Sequence, residues 1–161
     1  ERPVELVSWL EAIEFCKKLS SQTNHSYRLP TEVEWEYAAQ GGNLLRQKKP
    51  IYAGSNNLYE VGWYEENSHG ETKPVGLLKP NQLGIYDMCG NVWEWCSSLY
   101  QPYPYYAKDG RENLKDEGDH RVCRGGSWSL IAPSCRLANR SGTAPAHGYD
   151  NLGFRLALAS V

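Results

Sequence analysis

The chain has 161 residues and a formal net charge of −2, enough for one domain that can bury a core without metal or disulfide staples. Lys and Arg are spread thinly without a basic run, which argues against a nucleic-acid partner. No apolar stretch approaches the roughly 18 residues of a transmembrane helix, so no direct membrane insertion is expected. Six Trp and eleven Tyr stand against two Phe, a composition that favours a recognition surface of hydrogen-bonding aromatic side chains.

Two capping boxes predict two helices near the start of the chain. Ser8 with Glu11 predicts a first helix that runs to about Ser20, and Thr31 with Glu34 predicts a second that ends at the glycine pair 41–42. Helical spacing gives the first helix an apolar face of Trp9, Ala12, Ile13, Cys16 and Leu19. The second is predicted to bury Val33, Tyr37 and Ala38, flanked by Trp35 and Ala39.

Short strands and long loops are predicted after the helices. Residues 43–83 show no sustained period and are expected to form loops. The aromatic run 100–106 contains prolines that remove ladder donors, so it is predicted to be a surface loop that is useful for contacts. Strands are predicted at 85–88, 92–96, 122–128 and 154–159.

The cysteines and histidines give no sign of a clustered metal site. The five cysteines include no C-x-x-C pair, so structural zinc and thioredoxin chemistry are unsupported, and most are expected to be small buried thiols. No two of the four histidines are spaced three or four residues apart, and a lone histidine is usually an ordinary surface residue.

Residues 121–156 form a predicted display segment. It begins R-V-C-R-G-G-S-W and ends N-L-G-F-R-L, and the residues between have neither helical nor strand periodicity. Trp128, Arg136, Arg140, Asn151 and Arg155 are expected to hold these loops by stacking and by donating to carbonyls. The candidate ligand-binding residues are Trp128, Ser129, Leu130, Ile131, Pro133, Ser134, Leu137, Ser141, Gly142, Thr143, Ala144, Ala146, His147, Gly148, Tyr149 and Asp150.

Five ordered motifs resemble the formylglycine-generating-enzyme (sulfatase-modifying factor) family. They are V-S-W-L-E-A-I-E-F-C, R-L-P-T-E-V-E-W-E-Y-A-A-Q-G-G, G-I-Y-D-M-C-G-N-V-W-E-W, R-G-G-S-W and N-L-G-F-R. The resemblance implies one C-type-lectin-like α+β domain over 1–161, with two helices packed on short twisted antiparallel strands and long irregular loops. The family's usual N-terminal portion has no counterpart in this sequence.

Family membership does not settle the chemistry, because the fold carries both oxidases and ligand-display proteins. The resemblance implies that the oxidases bind copper(I) through two cysteines shortly after the G-G-S motif. Cys135 matches the second of these positions, but Leu130 stands at the first. A lone thiolate cannot form that linear site, so no catalytic residue and no copper are expected. The alternative is an oxidase acting on a peptide cysteine through Cys135 with Ser127 nearby.

The resemblance also implies a structural calcium loop. Residues matching Asp87 and Glu94 give side-chain oxygens, and those matching Gly90 and Val92 give backbone carbonyls. Such hard oxygen ligands suit Ca²⁺, which would pin loops that are costly to order. Alternatively, Asp87 and Glu94 cap turns or pair with Arg124.

The display segment resembles the variable proteins of diversity-generating retroelements. The residues at 129–131 and 141–150 are all reachable from an Asn codon by changing adenines. The sequence therefore predicts a non-catalytic ligand- or receptor-binding protein at a cell surface or on a virion. Its partner would be a protein or glycan on another cell or surface. An accessory domain of a larger surface complex is a further alternative.

Overall fold

Two helices begin at the predicted capping boxes. The computed structural model describes residues 1–43, 49–106, 108–116 and 119–159. Helix α1 spans Trp9–Thr23, a turn longer than predicted, and α2 spans Glu32–Ala39. At α1, the Ser8 hydroxyl accepts from the Glu11 N–H at 3.2 Å and the Glu11 carboxylate accepts from the Ser8 N–H at 2.8 Å. This reciprocal pairing satisfies helix donors that would otherwise have no partner.

The strands are β1 Tyr27–Arg28, β2 Gly62–Trp63, β3 Cys89–Gly90, β4 Trp93–Leu99, β5 Arg121–Arg124, β6 Arg140–Thr143, β7 Leu152–Gly153 and β8 Ala157–Leu158. A four-stranded sheet in the order β6-β5-β4-β7 forms the centre of the domain. The pairs β4–β5 and β5–β6 are antiparallel, whereas β4–β7 and β2–β3 are parallel. The predicted α+β fold is confirmed, with these parallel pairs as a refinement.

Three strand predictions are wrong in extent. The stretch 85–88 is irregular, and strand β3 begins just after it. Strand β5 stops at Arg124, because Gly125 and Gly126 have φ angles of 97° and 75°, outside the extended region. Only β8 lies within the predicted strand 154–159, and β7 ends just before that range.

Helix α2 turns a different face to the sheet than predicted. Val33 and Tyr37 are 45% and 50% exposed, whereas Glu32, Trp35 and Ala39 are buried. The reason is electrostatic, because Glu32 meets arginines of the sheet and draws its side of the helix inward. Hydrophobic spacing cannot reveal a buried carboxylate with distant partners.

All five cysteines are buried free thiols, as predicted. They lie in two hydrophobic clusters, one on each side of the sheet, and both clusters also contain buried tryptophans. Trp9 and Trp95 donate their indole N–H groups to the carbonyls of Cys96 and Val7, each at 3.0 Å. Both indoles are therefore paired within the core, as a buried tryptophan usually requires.

Buried asparagines order the long loops that precede β3. Asn67 accepts from the Tyr64 N–H and donates to the Gly62 carbonyl. Asn91 does both with Lys73, at 3.0 Å each way, and Asn81 accepts from Leu83 and Ile85 while donating to Ala38. Within the predicted loop region 43–83, residues 44–48 lie outside the described residues.

The helices contain no segment that is both long and apolar enough to cross a bilayer, as far as the described residues go.

Candidate functional site

A buried ion-pair network lies between α2 and the sheet. The Glu32 carboxylate accepts from Arg140 Nε at 2.5 Å and from Arg140 Nη2 at 2.6 Å, and it lies 3.4 Å from Arg124 Nη1. Arg124 also contacts Glu36 at 2.6 Å. The side chains of Glu32 and Arg124 are fully buried, so each requires the other's charge. We call Glu32, Glu36, Arg124 and Arg140 the ionic frame.

Arg124 of the ionic frame donates hydrogen bonds to backbone carbonyls of the display segment. Arg124 donates to the Leu137 carbonyl at 2.9 Å and to the Asn139 carbonyl at 3.1 Å. These bonds fix the chain just before β6. Arginine suits this role, because its planar group can bind several acceptors at once.

The first surface loop follows Trp128 and is fixed by hydrogen bonds to residues outside the display segment. The Trp128 N–H donates to the Asn91 carbonyl, and its own carbonyl accepts from the Ser68 hydroxyl, both at 2.8 Å. The Leu130 carbonyl accepts from the Glu65 N–H at 3.1 Å. Ile131 then projects outward, 57% exposed.

The second surface loop, 144–150, lies against the start of the chain. The Tyr149 carbonyl accepts from the Leu6 N–H at 2.9 Å, and the Pro145 carbonyl accepts from the Leu10 N–H at 3.3 Å. A Cβ at Gly148 would lie 2.7 Å from the Leu6 carbonyl carbon, so this contact requires glycine. The Tyr149 side chain is 47% exposed.

The two loops meet to form one surface. The Trp128 indole donates to the Asp150 carbonyl at 3.2 Å, and the Asn151 amide donates to the Ser129 hydroxyl at 3.2 Å. We call residues 128–131 and 146–150 the display surface. Its tips carry apolar, aromatic and small polar groups on backbone that is fixed at both ends.

The structure does not place every predicted ligand-binding residue on this surface. Leu137 is 5% exposed and belongs to the core, so its assignment is wrong. Residues 141–143 form the edge strand β6, where the Tyr100 ring covers Gly142. Besides residues of the display surface, Pro133 is exposed, whereas Ser134, Ser141, Gly142, Thr143 and Ala144 are half-buried.

Leu6 is a surface residue that the sequence does not reveal. It is 66% exposed and has a φ of 57°, a left-handed conformation that is unusual for leucine. Its N–H binds Tyr149, so its side chain stands at the margin of the display surface. Neither periodicity nor a motif marks this position.

The residues of the oxidase alternative are deeply buried. Cys135 and Ser127 are both inaccessible to solvent, and the Cys135 thiol donates to the Ser127 carbonyl at 3.9 Å. Burial raises the pKa of Cys135 to about 11 and that of Cys89, in the same core cluster, to about 12. Leu130 packs against this cluster at the position where the resemblance implies a second thiolate. These thiols are therefore protonated at neutral pH.

The residues of the predicted calcium loop fit the ion poorly. Both Glu94 oxygens accept hydrogen bonds from Arg155, at 2.5 and 2.6 Å, and one also accepts from Trp35 at 2.6 Å. The alternative pairing with Arg124 is wrong, because Glu94 pairs with Arg155. Asp87 accepts from the Gly76 N–H, and burial raises the pKa of Asp87.

One Asp87 oxygen is buried without a hydrogen-bond partner, so Asp87 keeps a free side-chain acceptor at this loop. Within the described ranges, no group of three or more His, Cys, Asp or Glu residues is arranged to hold a metal ion. Glu94 therefore does not fit as a ligand in this arrangement, and calcium stays a prediction that rests on Asp87 and the resemblance.

Together these features define a small α+β domain that carries two joined surface loops on a buried ionic frame. The sulfatase-modifying factor enzyme 1-like domain matches residues 1–160, and the chain belongs to this family. The resemblance inferred from the motifs is thereby confirmed.

Its relatives include enzymes and an inactive protein. The chain is 36% identical to the formylglycine-generating enzyme of Streptomyces coelicolor, over 96% of this chain and 52% of that protein. It is 37% identical to the inactive C-alpha-formylglycine-generating enzyme 2 of Mus musculus, over 99% of this chain and 50% of that protein. The chain thus spans about half the length of these relatives.

The fold is similar to that of Treponema denticola variable protein 1, with a TM-score of 0.82 and 31% identity over 96% of this chain and 70% of that one. It is also similar to PvdO from Pseudomonas aeruginosa, with a TM-score of 0.81 and 29% identity over 98% of this chain and 62% of that one.

Proposed function

We propose that this domain is a non-catalytic binding protein whose display surface contacts a protein or glycan on another cell or surface. A cell-surface or virion location fits this role and stays a prediction. Tyrosine, histidine and a few apolar side chains among small residues make a recognition surface with low ordering cost.

The observation that carries the proposal is how the loops are held. The bonds that fix the display surface end largely on backbone carbonyls, those of Leu130, Tyr149 and Asp150. Every amino acid supplies a carbonyl, so the side chains at these positions can change while the backbone bonds persist. A binding protein whose tips vary on a constant frame needs this property.

The buried thiols support a role without oxidation. An oxidase of this family would need two thiolates to bind copper(I), and Leu130 with a protonated, inaccessible Cys135 supplies neither. The similarity to an inactive relative and to a variable protein agrees with this interpretation. The similarity to active enzymes makes the oxidase the second candidate.

Copper(I) titration combined with an oxygen electrode separates the two candidates. With a cysteine-containing peptide present, we expect no tight stoichiometric copper binding, no oxygen consumption and no aldehyde product. Aldehyde formation that is lost in Cys135→Ala would overturn the proposal, and an active relative run in parallel shows that the assay works.

The encoding DNA tests the diversified form of the proposal. An adenine-rich near-copy of codons 121–156 beside a reverse transcriptase gene is expected if the display surface is varied by a retroelement. A genome without such a copy would limit the proposal to a fixed binding surface, and an accessory role in a larger complex would then be tested by pull-down with neighbouring proteins.

A further inference from the structure

A groove lined by tyrosines lies between α2 and the loop 100–106, apart from the display surface. Its volume is about 410 Å³, within the range of roughly 300–1,000 Å³ that is common for small-ligand sites. Tyr37 and Tyr103 are each 50% exposed at its walls. We call it the tyrosine groove; its lining residues are Val33, Glu36, Tyr37, Gln40, Tyr103 and Tyr105.

Two of its rings are fixed by arginines. The Arg140 guanidinium lies 4.2 Å from the centre of the Tyr103 ring, and the Arg111 guanidinium lies 4.4 Å from that of Tyr105. Arg140 is itself clamped by the buried Glu32, and Arg111 contacts Asp109 at 2.6 Å. The rings are therefore ordered before any ligand arrives, which lowers the entropic cost of binding.

The charges of the groove favour a neutral ligand. Each of these rings already has a cation over one face, so a cationic ligand would gain little from the rings and would be repelled by the arginines. The Glu36 carboxylate is balanced by Arg124 at 2.6 Å. An anionic ligand would meet the Glu36 carboxylate in the groove wall, while Lys49, which does not line the groove, binds the Gln40 amide oxygen.

The tyrosine hydroxyls of the groove favour a ligand that donates, and the Gln40 amide, which gives one N–H to Glu36, can donate its second N–H to a ligand. The Tyr103 hydroxyl donates to Glu36 at 3.3 Å and the Tyr105 hydroxyl donates to Glu112 at 3.1 Å. Because each hydroxyl has one proton, these groups can offer a ligand only their lone pairs. A proline-rich segment, the usual occupant of aromatic grooves, has no N–H on its prolines and would leave these acceptors unpaired.

We propose that the tyrosine groove binds a neutral sugar ring. A sugar has a flat face of C–H groups that packs on an aromatic ring and hydroxyls at its edge that donate hydrogen bonds. Tyr37 and Tyr103 supply the ring faces, and the lone pairs of Glu36 and the Tyr103 hydroxyl supply the acceptors. This site is independent of the display surface, since no display residue lines it.

NMR titration of the ¹⁵N-labelled domain tests the proposal. The probes are the methyl glycosides and tetrasaccharides of glucose, galactose, mannose and N-acetylglucosamine, with choline and a proline-only peptide alongside. We expect saturable shifts at the amides of α2 and residues 100–106 with at least one neutral sugar at millimolar concentration.

Two variants and a matched control locate the binding. Tyr37→Ala removes one ring and is expected to weaken sugar binding about tenfold. Val33→Lys projects a charged chain into the groove from a half-exposed helical position and is expected to abolish binding while the melting temperature stays unchanged. Tyr106→Ala removes a 64% exposed tyrosine of the same loop that does not line the groove, and affinity is expected to stay the same.

The proposal is wrong if no sugar produces saturable shifts, or if choline or the peptide shifts the same amides instead. It is also wrong if sugar binding survives Val33→Lys. None of these results bears on the display surface, which is tested by copper titration and the encoding DNA.

Discussion

The ionic frame and the display surface use hydrogen bonds in opposite ways. In the ionic frame, charged side chains bind each other, so Glu32 and Arg140 cannot be exchanged for other residues without leaving a buried charge. At Tyr149 and Asp150 of the display surface, the bonds end on backbone carbonyls, so the side chains at these two positions have no hydrogen bond to lose. The comparison separates positions that specify the fold from positions that are free to specify a ligand.

Alkaline pH should affect the interior most strongly. Burial raises the pKa of Cys89 to about 12 and that of Cys135 to about 11, from an ordinary value of 9.0. Because the folded state keeps these protons longer than the unfolded state, stability is complete below pH 9 and falls as pH rises through the folded pKa values. The expected loss is about 1.4 kcal/mol per pH unit for each thiol.

Urea unfolding under reducing conditions at about pH 8, 9 and 10 measures this loss. Cys135→Ala should lower the slope with pH by one thiol's contribution. An unfolding free energy that is constant over this range would show that the thiols are not as buried as the structure places them.

Breaking the ionic frame should have an effect of similar size. Glu32→Ala leaves Arg124 and Arg140 facing a buried space without their shared carboxylate, and the expected cost is about 3–5 kcal/mol in the free energy of unfolding. Lys18→Ala, in an exposed pair with Glu14, is the control and should cost less than about 0.5 kcal/mol. Equal losses in chemical denaturation would contradict the distinction.

Substitution of Gly126 tests whether the first surface loop depends on its close contact with Cys135. The Gly126 φ of 75° matches that of Gly84, but a Cβ at Gly126 would lie 2.6 Å from the Cys135 sulfur, whereas one at Gly84 would meet nothing within 4 Å. Gly126→Ala should therefore cost about 1–3 kcal/mol more than Gly84→Ala. Thermal unfolding of the two variants measures the difference in stability. Similar melting temperatures would mean that the loop can shift to make room for the added Cβ.

The smallest effect is expected at the display surface. Ile131→Ala and Tyr149→Ala should each change the free energy of unfolding by about 0.5 kcal/mol or less, because neither side chain is buried. Leu137→Ala, in the same chain segment but in the core, should cost about 2–5 kcal/mol. If the two exposed variants were as unstable as Leu137→Ala, the display surface would be structural.

Local signals predicted the helices well. The capping boxes at Ser8 and Thr31 set both helix starts, because their partners lie three residues away and can be identified directly in the sequence. The family motifs supplied the fold. What local patterns missed is the inward face of α2, because the Arg140 that binds Glu32 is 108 residues away.

The site was predicted in part for similar reasons. Exposed positions such as Ile131 and Tyr149 were identified, because the segment lacks any period. Strand β6 was not predicted, since its residues R-S-G-T do not alternate and its half-burial comes from the aromatic loop, where Tyr100 covers Gly142. Leu137 was misassigned, because a buried leucine in an irregular segment leaves no periodic signal.

The buried asparagines that order the loops could not be replaced by aspartate without loss. Asn67, Asn81 and Asn91 each use the amide NH₂ to donate and the amide oxygen to accept. Deamidation to aspartate would replace that donor with a second acceptor and introduce a negative charge where the side chain is almost fully enclosed. The identity of one amide group at each of these three positions therefore holds together a loop that has no regular secondary structure of its own.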